Sequence, residues 1–233
     1  MDESVDEGRL RAAIVAAGRR LGARGLIAAG EGNLSIRLPH GRALVTSSGR
    51  RKDELVPGDL VVVELEPGDE RAAALAPGLR PTSDLAIHRA VLVAQPDASS
   101  VAHAHLPATM ALTLAGIAPD PTALPETALF LPRHEVLPYG EPGSVELAER
   151  VAAALTQPPA PYPGAVILER HGAVAIGGTA AEPAAPGVDV TARLIAGLDQ
   201  AVDRLELIEV IARAWRDMIL LRAASAGGYP SGR

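Results

Sequence analysis

The chain has 233 residues, of which 48% are hydrophobic and 2% aromatic, so one domain can bury a sizeable core built mainly from aliphatic side chains. A formal net charge of −6 does not favour a nucleic-acid or membrane-surface partner, and the lack of cysteine excludes disulfides, zinc–thiolate sites and a cysteine nucleophile. We find no apolar signal core at the N-terminus and no apolar run long enough to span a bilayer, which predicts a soluble cytoplasmic protein.

The spacing of apolar residues divides the chain into helices and short strands. In chain order, the predicted helices are residues 6–23, 85–94, 108–114, 143–155 and 189–224, and the predicted strands are 34–38, 43–46, 60–65, 165–168 and 173–176. The last helix carries one long apolar stripe, which suits either a subunit interface or the core of a single chain. We expect one domain over residues 1–226, followed by a mobile tail at 227–233.

Two polar loops border the strands near the N-terminus. The first, Gly-Glu-Gly-Asn-Leu-Ser, carries Asn33 and leads into the strand at 34–38. The second, Thr-Ser-Ser-Gly, carries Ser48 and Gly49 directly after the strand at 43–46. Hydroxyls and backbone N–H groups of such a loop can bind an anion, but ordinary polar turns have the same composition.

Hydroxyl and acidic side chains also precede the second helix. Thr82, Ser83 and Asp84 come immediately before residues 85–94, and this composition is typical of a helix N-cap. The same helix N-terminus can bind an anion through its free N–H groups and its dipole. Both interpretations can hold together, and Asp84 is then a candidate acid–base group beside the anion.

Three histidines are candidate metal ligands. His103 and His105 end an apolar run, and if that run is a strand, both side chains point to the same face. The pair alone is equally compatible with two half-buried histidines. His171, followed by Gly172, lies between two further strand-like runs. Three imidazoles that leave one coordination position open form a catalytic zinc arrangement.

Five other residues receive less specific interpretations. We expect His40 in a polar turn, His88 as a structural residue on its helix, and His134 in a loop. Lys52 is the only lysine and lies in a charged segment that predicts an exposed turn, so the chemistry requires no Schiff base. Glu126 is either a surface charge or an acid of the site.

The order of these motifs resembles the class II aldolase/adducin family from the first helix to about residue 221. The motifs are Gly-Asn-Leu-Ser, Thr-Ser-Ser-Gly, Pro-Thr-Ser-Asp, His-Ala-His and His-Gly, in that sequence. The resemblance implies a three-layer α/β/α fold with a central, mostly antiparallel sheet. It also implies a homotetramer with active sites near the subunit interfaces.

The resemblance further implies roles for individual residues. It assigns His103, His105 and His171 to a divalent metal, usually Zn²⁺, with Mn²⁺, Co²⁺ or Fe²⁺ as alternatives. It assigns the phosphate of a small sugar substrate to a separate group of residues, Asn33, Ser48, Gly49, Thr82 and Ser83. It makes Asp84 the catalytic acid–base, with Glu126 as a second participant.

Departures from the family pattern leave the reaction open. Aldolases of the family typically have Ser-Ser-Glu where this chain has Thr82, Ser83 and Asp84, and their catalytic tyrosine has no match near Glu126. A glutamate in that region is similar to the dehydratase branch instead. The resemblance implies an aldolase that cleaves a phosphorylated ketose to dihydroxyacetone phosphate and an aldehyde through a metal-stabilised enediolate. The alternatives are a dehydratase, an epimerase, a decarboxylase, or an adducin-like interaction domain without enzymatic activity.

Overall fold

The computed structural model describes residues 5–66, 78–120, 123–131, 133–158, 162–178 and 189–226. Within them the α-helices are α1 (Glu7–Ala23), α2 (Leu85–Ala94), α3 (Pro107–Leu114), α4 (Pro125–Phe130), α5 (Val145–Leu155) and α6 (Val190–Ala226), and a 3-10 turn spans Pro57–Asp59. The strands are β1 (Asn33–Leu38), β2 (Arg42–Thr46), β3 (Leu60–Glu64), β4 (Ser100–Ala104), β5 (His134–Leu137), β6 (Ala165–Leu168) and β7 (Gly172–Gly177). The tail predicted to be mobile lies outside the described residues.

The seven strands form one sheet in the order β3–β2–β1–β4–β7–β6–β5. All neighbouring pairs are antiparallel except β5 and β6, which are parallel. The prediction of a mostly antiparallel sheet is therefore confirmed. The prediction of a loop at His134 is wrong, because this residue begins the edge strand β5 and pairs with Ala165.

Side-chain alternation along the strands divides the apolar residues between two cores. On one face of the sheet, residues such as Leu34 and Ile36 of β1 pack with α1 and α6. On the other face, residues such as Val101 of β4 and Val174 of β7 pack with α2 and α5. The sheet therefore lies between two helical layers, as the resemblance implied.

Small residues let the long helix α6 approach the centre of the sheet closely. The alanines in the core on the α6 side of β4, β6 and β7 are Ala102, Ala104, Ala165, Ala173 and Ala175. A Cβ added to Gly177 would overlap the carbonyl oxygen of Gly197 on α6. The apolar stripe of α6 is buried as far as Ala212, whereas Leu220 and Leu221 near its end are exposed. Among the described residues, no helix is both long enough and apolar enough to cross a bilayer.

The helix α6 also anchors the start of α3. Glu209 on α6 is 2% exposed, and its carboxylate accepts hydrogen bonds from the backbone N–H groups of Ala108 and Thr109, at 3.0 and 3.1 Å. The first N–H groups of a helix have no partner within the helix, so a carboxylate at this position stabilises it. Since α3 begins two residues after His105, Glu209 also restrains the chain that follows this histidine.

Gly172 is required where β7 begins. Its φ is 135°, and an added Cβ would overlap the carbonyl oxygen of Ala104 and lie 2.8 Å from the Cα of His105. We predict that Gly172→Ala lowers the free energy of unfolding by about 2–5 kcal/mol, because backbone strain and overpacking add together. Chemical denaturation measures this. Gly58→Ala is the matched control, since nothing lies within 4 Å of its added Cβ. Equal effects of the two substitutions would contradict the prediction.

Candidate metal centre and anion-binding cavity

Three imidazoles meet at one end of the central strands. His103 is in β4, His105 follows β4 directly, and His171 lies in the turn between β6 and β7. The ring centroids are 4.8, 5.1 and 5.2 Å apart, and one nitrogen of each ring lies within 4.8 Å of the others. The structure thus brings together the residues predicted as metal ligands, because alternation along β4 directs His103 and His105 to the same side.

Hydrogen bonds leave nitrogens of this cluster free for a metal. The Nδ1 of His103 lies 2.9 Å from the carbonyl oxygen of Ala173 and donates to it, so Nε2 carries a lone pair. This Nε2 and the Nδ1 of His171 are buried without a hydrogen-bond partner among the described residues. A buried polar atom without a partner is costly, and a divalent cation would satisfy it. The cluster therefore fits a metal ion bound by three histidines.

Burial keeps these imidazoles in the form that binds metals. It lowers the pKa of His103 to about 3, and repulsion from His171 contributes to the same shift. Burial also lowers the pKa of His171, with a further contribution from His105. Both rings are therefore neutral at pH 7, and neutral imidazole is the metal ligand.

Glu31 is a partner of the histidine cluster that the sequence did not reveal. Its Oε1 lies 3.2 Å from the Nδ1 of His105, and its Oε2 accepts a hydrogen bond from the N–H of Ala28. A carboxylate that accepts the Nδ1 proton of a histidine orients the ring and leaves Nε2 for the metal. In the sequence, the one indication of this role is the position of Glu31 in the glycine-rich loop before Asn33.

A cavity of about 420 Å³ adjoins the histidine cluster. Its lining includes His105 and His171 together with all the residues assigned to the substrate phosphate, Asn33, Ser48, Gly49, Thr82 and Ser83. Three separate segments supply these residues: the start of β1, the loop after β2 and the approach to α2. The cavity thus combines two candidate metal ligands with hydroxyl and amide groups that can bind an anion.

The loops that carry the hydroxyl groups are paired with each other through their backbones. The N–H of Ser48 donates to the carbonyl oxygen of Arg80, and the N–H of Thr82 donates to that of Thr46, at 2.9 and 3.0 Å. These N–H groups are already engaged. Binding by Ser48 and Thr82 therefore depends on their side-chain hydroxyls rather than on these backbone groups.

Asp84 is a buried carboxylate in the lining of the cavity. It is 7% exposed, and its Oδ2 accepts a hydrogen bond of 2.7 Å from the Nδ2 of Asn33. Burial acts to raise the pKa of Asp84. Electrostatic interaction with His103, whose ring becomes protonated only at acidic pH, the hydrogen bond from Asn33 and smaller interactions with His88 and His171 outweigh burial and lower this pKa. The carboxylate is consequently ionised at neutral pH and able to accept a proton.

A buried chain of hydrogen bonds holds Asn33 and Asp84 in place. The Nε2 of His88 lies 2.6 Å from the Oδ1 of Asn33, and its Nδ1 lies 2.6 Å from the Oγ of Ser35. Since an amide oxygen only accepts, Nε2 carries the proton and Nδ1 accepts from Ser35. His88 is buried, as expected for a structural residue, and it also fixes which atoms of Asn33 face Asp84.

The side chain of Lys52 does not have the exposed position that was predicted for its charged turn. Lys52 is 2% exposed and lines the cavity, so the prediction of an exposed turn is wrong for this side chain. The segment is rich in charge, which predicts exposure to solvent, but its lysine side chain is buried.

Glu126 lies in the first turn of α4, is exposed, and is not among the residues that line the cavity. Its part in the reaction stays a prediction.

Comparison with known proteins shows which family this arrangement belongs to. A family model described as the class II aldolase and adducin N-terminal domain matches residues 12–185. The chain is a member of this family. Enzymes of the family depend on a divalent metal, and the three histidines of this chain form the group suited to hold one.

Relatives within the class II aldolase family carry different activities. The 3-oxo-tetronate 4-phosphate decarboxylase of Haemophilus influenzae is 31% identical over 169 residues, which cover 70% of this chain and 75% of that protein. The methylthioribulose-1-phosphate dehydratase of Granulibacter bethesdensis is 36% identical over 124 residues, 53% of this chain and 54% of that protein. The chain thus matches about half the length of the latter relative.

A solved structure of the family confirms the fold. The L-fuculose-1-phosphate aldolase from Thermus thermophilus superposes with a TM-score of 0.73 at 28% identity, covering 96% of this chain and 99% of that chain. The predicted α/β fold and the family resemblance are both confirmed. The names of these relatives include an aldolase, a dehydratase and a decarboxylase, so they agree on lyase chemistry but not on one reaction.

The buried His88 predicts a pH-dependent stability. Burial lowers its pKa from 6.5 to about 4, although Asp84 opposes the shift. Between these values the unfolded chain binds a proton that the folded chain excludes, so stability is lost as the pH falls from about 6.5 to 4. Protonation of His88 in the unfolded chain should lower the free energy of unfolding by about 3 kcal/mol over this range, since one pKa unit corresponds to 1.36 kcal/mol. Urea unfolding of metal-free protein across this range should show a shallower slope for His88→Gln.

The exposed His40 supplies the control for this measurement. It lies in the turn between β1 and β2 with a φ of 61°, a conformation that asparagine also adopts readily. His40→Asn should retain the pH slope of the wild-type chain. If His88→Gln and the wild type lose stability in parallel between pH 6.5 and 4, burial does not hold His88 neutral.

Proposed function

We propose that this chain is a metal-dependent lyase that cleaves a carbon–carbon bond of a phosphorylated ketose and releases dihydroxyacetone phosphate and an aldehyde. The observation that carries the proposal is the position of Asp84, an ionised and buried carboxylate in the cavity that is also lined by His105, His171 and the candidate anion-binding groups. A base, candidate metal ligands and candidate anion-binding groups that meet at one cavity suit the reversible aldol reaction.

The metal and the phosphate groups have distinct parts in this proposal. A divalent cation, most simply Zn²⁺, would be held by His103, His105 and His171 and would supply Lewis-acid stabilisation of negative charge on the oxygens of the substrate. Asn33 and the group around Ser48 and Ser83 bind the phosphate. With the far end of the substrate fixed, the reacting carbons are presented to the base in one orientation.

Asp84 moves the proton in this reaction. It removes the proton of the hydroxyl on the carbon that becomes the aldehyde. The carbon–carbon bond then breaks, its electron pair remains on the ketose fragment as an enediolate, and the aldehyde leaves. Asp84 returns the proton to carbon and dihydroxyacetone phosphate is complete. The hydrogen bond from Asn33 keeps the carboxylate in the orientation that this transfer requires.

A second candidate is water elimination or decarboxylation of a similar sugar phosphate. The relatives named as a dehydratase and as a decarboxylase at 36% and 31% identity favour it. Each reaction again generates negative charge next to a ketone, so the same cavity serves. The elimination would use Glu126 as the base if a neighbouring subunit or a movement of α4 brought it to the site.

Isotope exchange and the roles of the two carboxylates distinguish the aldol reaction from the second candidate. In D₂O, the metal-loaded chain should exchange a hydrogen of dihydroxyacetone phosphate for deuterium, because aldol chemistry forms the enediolate from this fragment alone. Proton NMR measures the rate of this exchange. We predict that Asp84→Asn slows the exchange by about two orders of magnitude or more without loss of metal. Glu126→Gln, the matched amide control, should have a smaller effect.

The opposite pattern would favour the second candidate. An enzyme that is inactive as Glu126→Gln, active as Asp84→Asn and unable to exchange dihydroxyacetone phosphate would not be an aldolase. Methylthioribulose 1-phosphate and 3-oxo-tetronate 4-phosphate should then be tested for release of water and of carbon dioxide.

The proposed assembly is a homotetramer with active sites near the interfaces. Large apolar side chains remain exposed on α3, α4 and α6, namely Leu114, Leu129, Phe130, Leu220 and Leu221. Such side chains are suited to burial between subunits. Multi-angle light scattering should therefore give four times the mass of the chain at micromolar concentration. A monomer with full activity would contradict a site that depends on the interface.

A further inference from the structure

Lys52 is an unusual residue of the cavity, because a lysine is seldom buried without an ion pair. It is the only lysine of the chain and is 2% exposed. Among the residues that line the cavity it is the one lysine or arginine, whereas Glu31 and Asp84 are acidic. A buried cation in such a place requires an explanation beyond the packing of a turn.

The contacts of the ammonium group leave its charge without a direct counter-ion. Its Nζ donates to the carbonyl oxygens of Gly30 and Arg50, at 2.9 and 2.6 Å. None of the salt bridges among the described residues includes Lys52. An ammonium has three N–H donors, so one donor remains for a ligand. Burial lowers the pKa of Lys52, and Asp84 partly opposes this shift.

The backbone of Lys52 is held independently of its side chain. Gly18 of α1 packs directly on the carbonyl group of Lys52, where an added Cβ would overlap the oxygen. Gly22, one turn further along α1, packs on Asp53 in the same way, with an added Cβ 2.6 Å from the Cβ of Asp53. Helix packing therefore contributes to the position of this loop in addition to the hydrogen bonds of the ammonium group.

A phosphate in the cavity would otherwise be bound by neutral groups. Asn33, Ser48, Thr82 and Ser83 offer amide and hydroxyl donors, and none of them carries a charge. Two nearby carboxylates, Glu31 and Asp84, would repel a dianion. Charge-assisted hydrogen bonds are about twice as strong as neutral ones, so an ammonium would be the strongest single contact to a phosphate among these side chains.

We propose that Lys52 is the cationic contact that binds the phosphate of the substrate and makes the site select phosphorylated over unphosphorylated sugars. This inference rests on the proposed function for the identity of the substrate but not for the presence of an anion site. Inorganic phosphate can therefore test it without any turnover, in the metal-loaded protein.

Three variants distinguish a direct contact between Lys52 and phosphate from a general effect of removing one positive charge. In calorimetric titrations with inorganic phosphate, Lys52→Met should bind about tenfold to a hundredfold more weakly than wild type, and Lys52→Arg should stay within a few-fold. Arg51→Met removes the same charge one residue away, from a half-exposed side chain that pairs with Asp53 and Glu54. It should bind phosphate as wild type does. Metal content and circular dichroism should match in all variants.

A measurement on the wild-type chain covers the case in which Lys52→Met fails to fold. Because the chain has one lysine, ¹³C-lysine labelling gives a single Cε signal by NMR. Phosphate should shift this signal in a saturable way, and chloride at the same ionic strength should not. Lack of a saturable shift, unchanged phosphate affinity in Lys52→Met, or equal losses in Lys52→Met and Arg51→Met would each overturn the inference. Lysine-dependent phosphate binding without exchange of dihydroxyacetone phosphate would contradict the proposed function alone.

Discussion

The register in which β4 pairs with its two neighbours sets the position of the three histidines relative to Asn33. Asn33 of β1 lies opposite His103 of β4, and Ala104 lies opposite Ala173 of β7, two residues after His171. A slip of one residue would turn His103 from the α2 side of the sheet to the α6 side. The same pairing therefore brings a phosphate-binding candidate and the three metal-ligand candidates to one end of the central strands.

Two kinds of packing protect this register. On the α6 side, alanines and glycines allow the long helix to lie close to the sheet, so a slip would place larger side chains beneath it. On the α2 side, the register is held by polar contacts, from Ser35 through His88 and Asn33 to Asp84. These groups are buried, so an incorrect pairing would leave them without partners, which is costly. The stability of the fold and the orientation of the candidate base thus depend on the same hydrogen bonds.

The sequence predicts the parts of the site that follow from local periodicity. Alternation along a strand places His103 and His105 on one side, and the hydroxyls before α2 mark a helix N-terminus. It does not predict the burial of Lys52, because that depends on Gly18, which is 34 positions earlier and packs on its backbone. His134 was missed for a similar reason, since its strand is four residues long and exists through pairing with a distant segment. The position of Glu126 relative to a neighbouring site depends on assembly.

The proposed function depends most on a catalytic divalent cation bound by the three histidines beside the cavity. Anomalous diffraction at the zinc edge, from crystals grown with Zn²⁺, tests it most directly. We predict one strong peak within about 2.1 Å of an imidazole nitrogen of each histidine, including the Nε2 of His103, with at least one coordination position open toward the cavity. Absence of density there, with zinc bound only at surface carboxylates, would contradict the account.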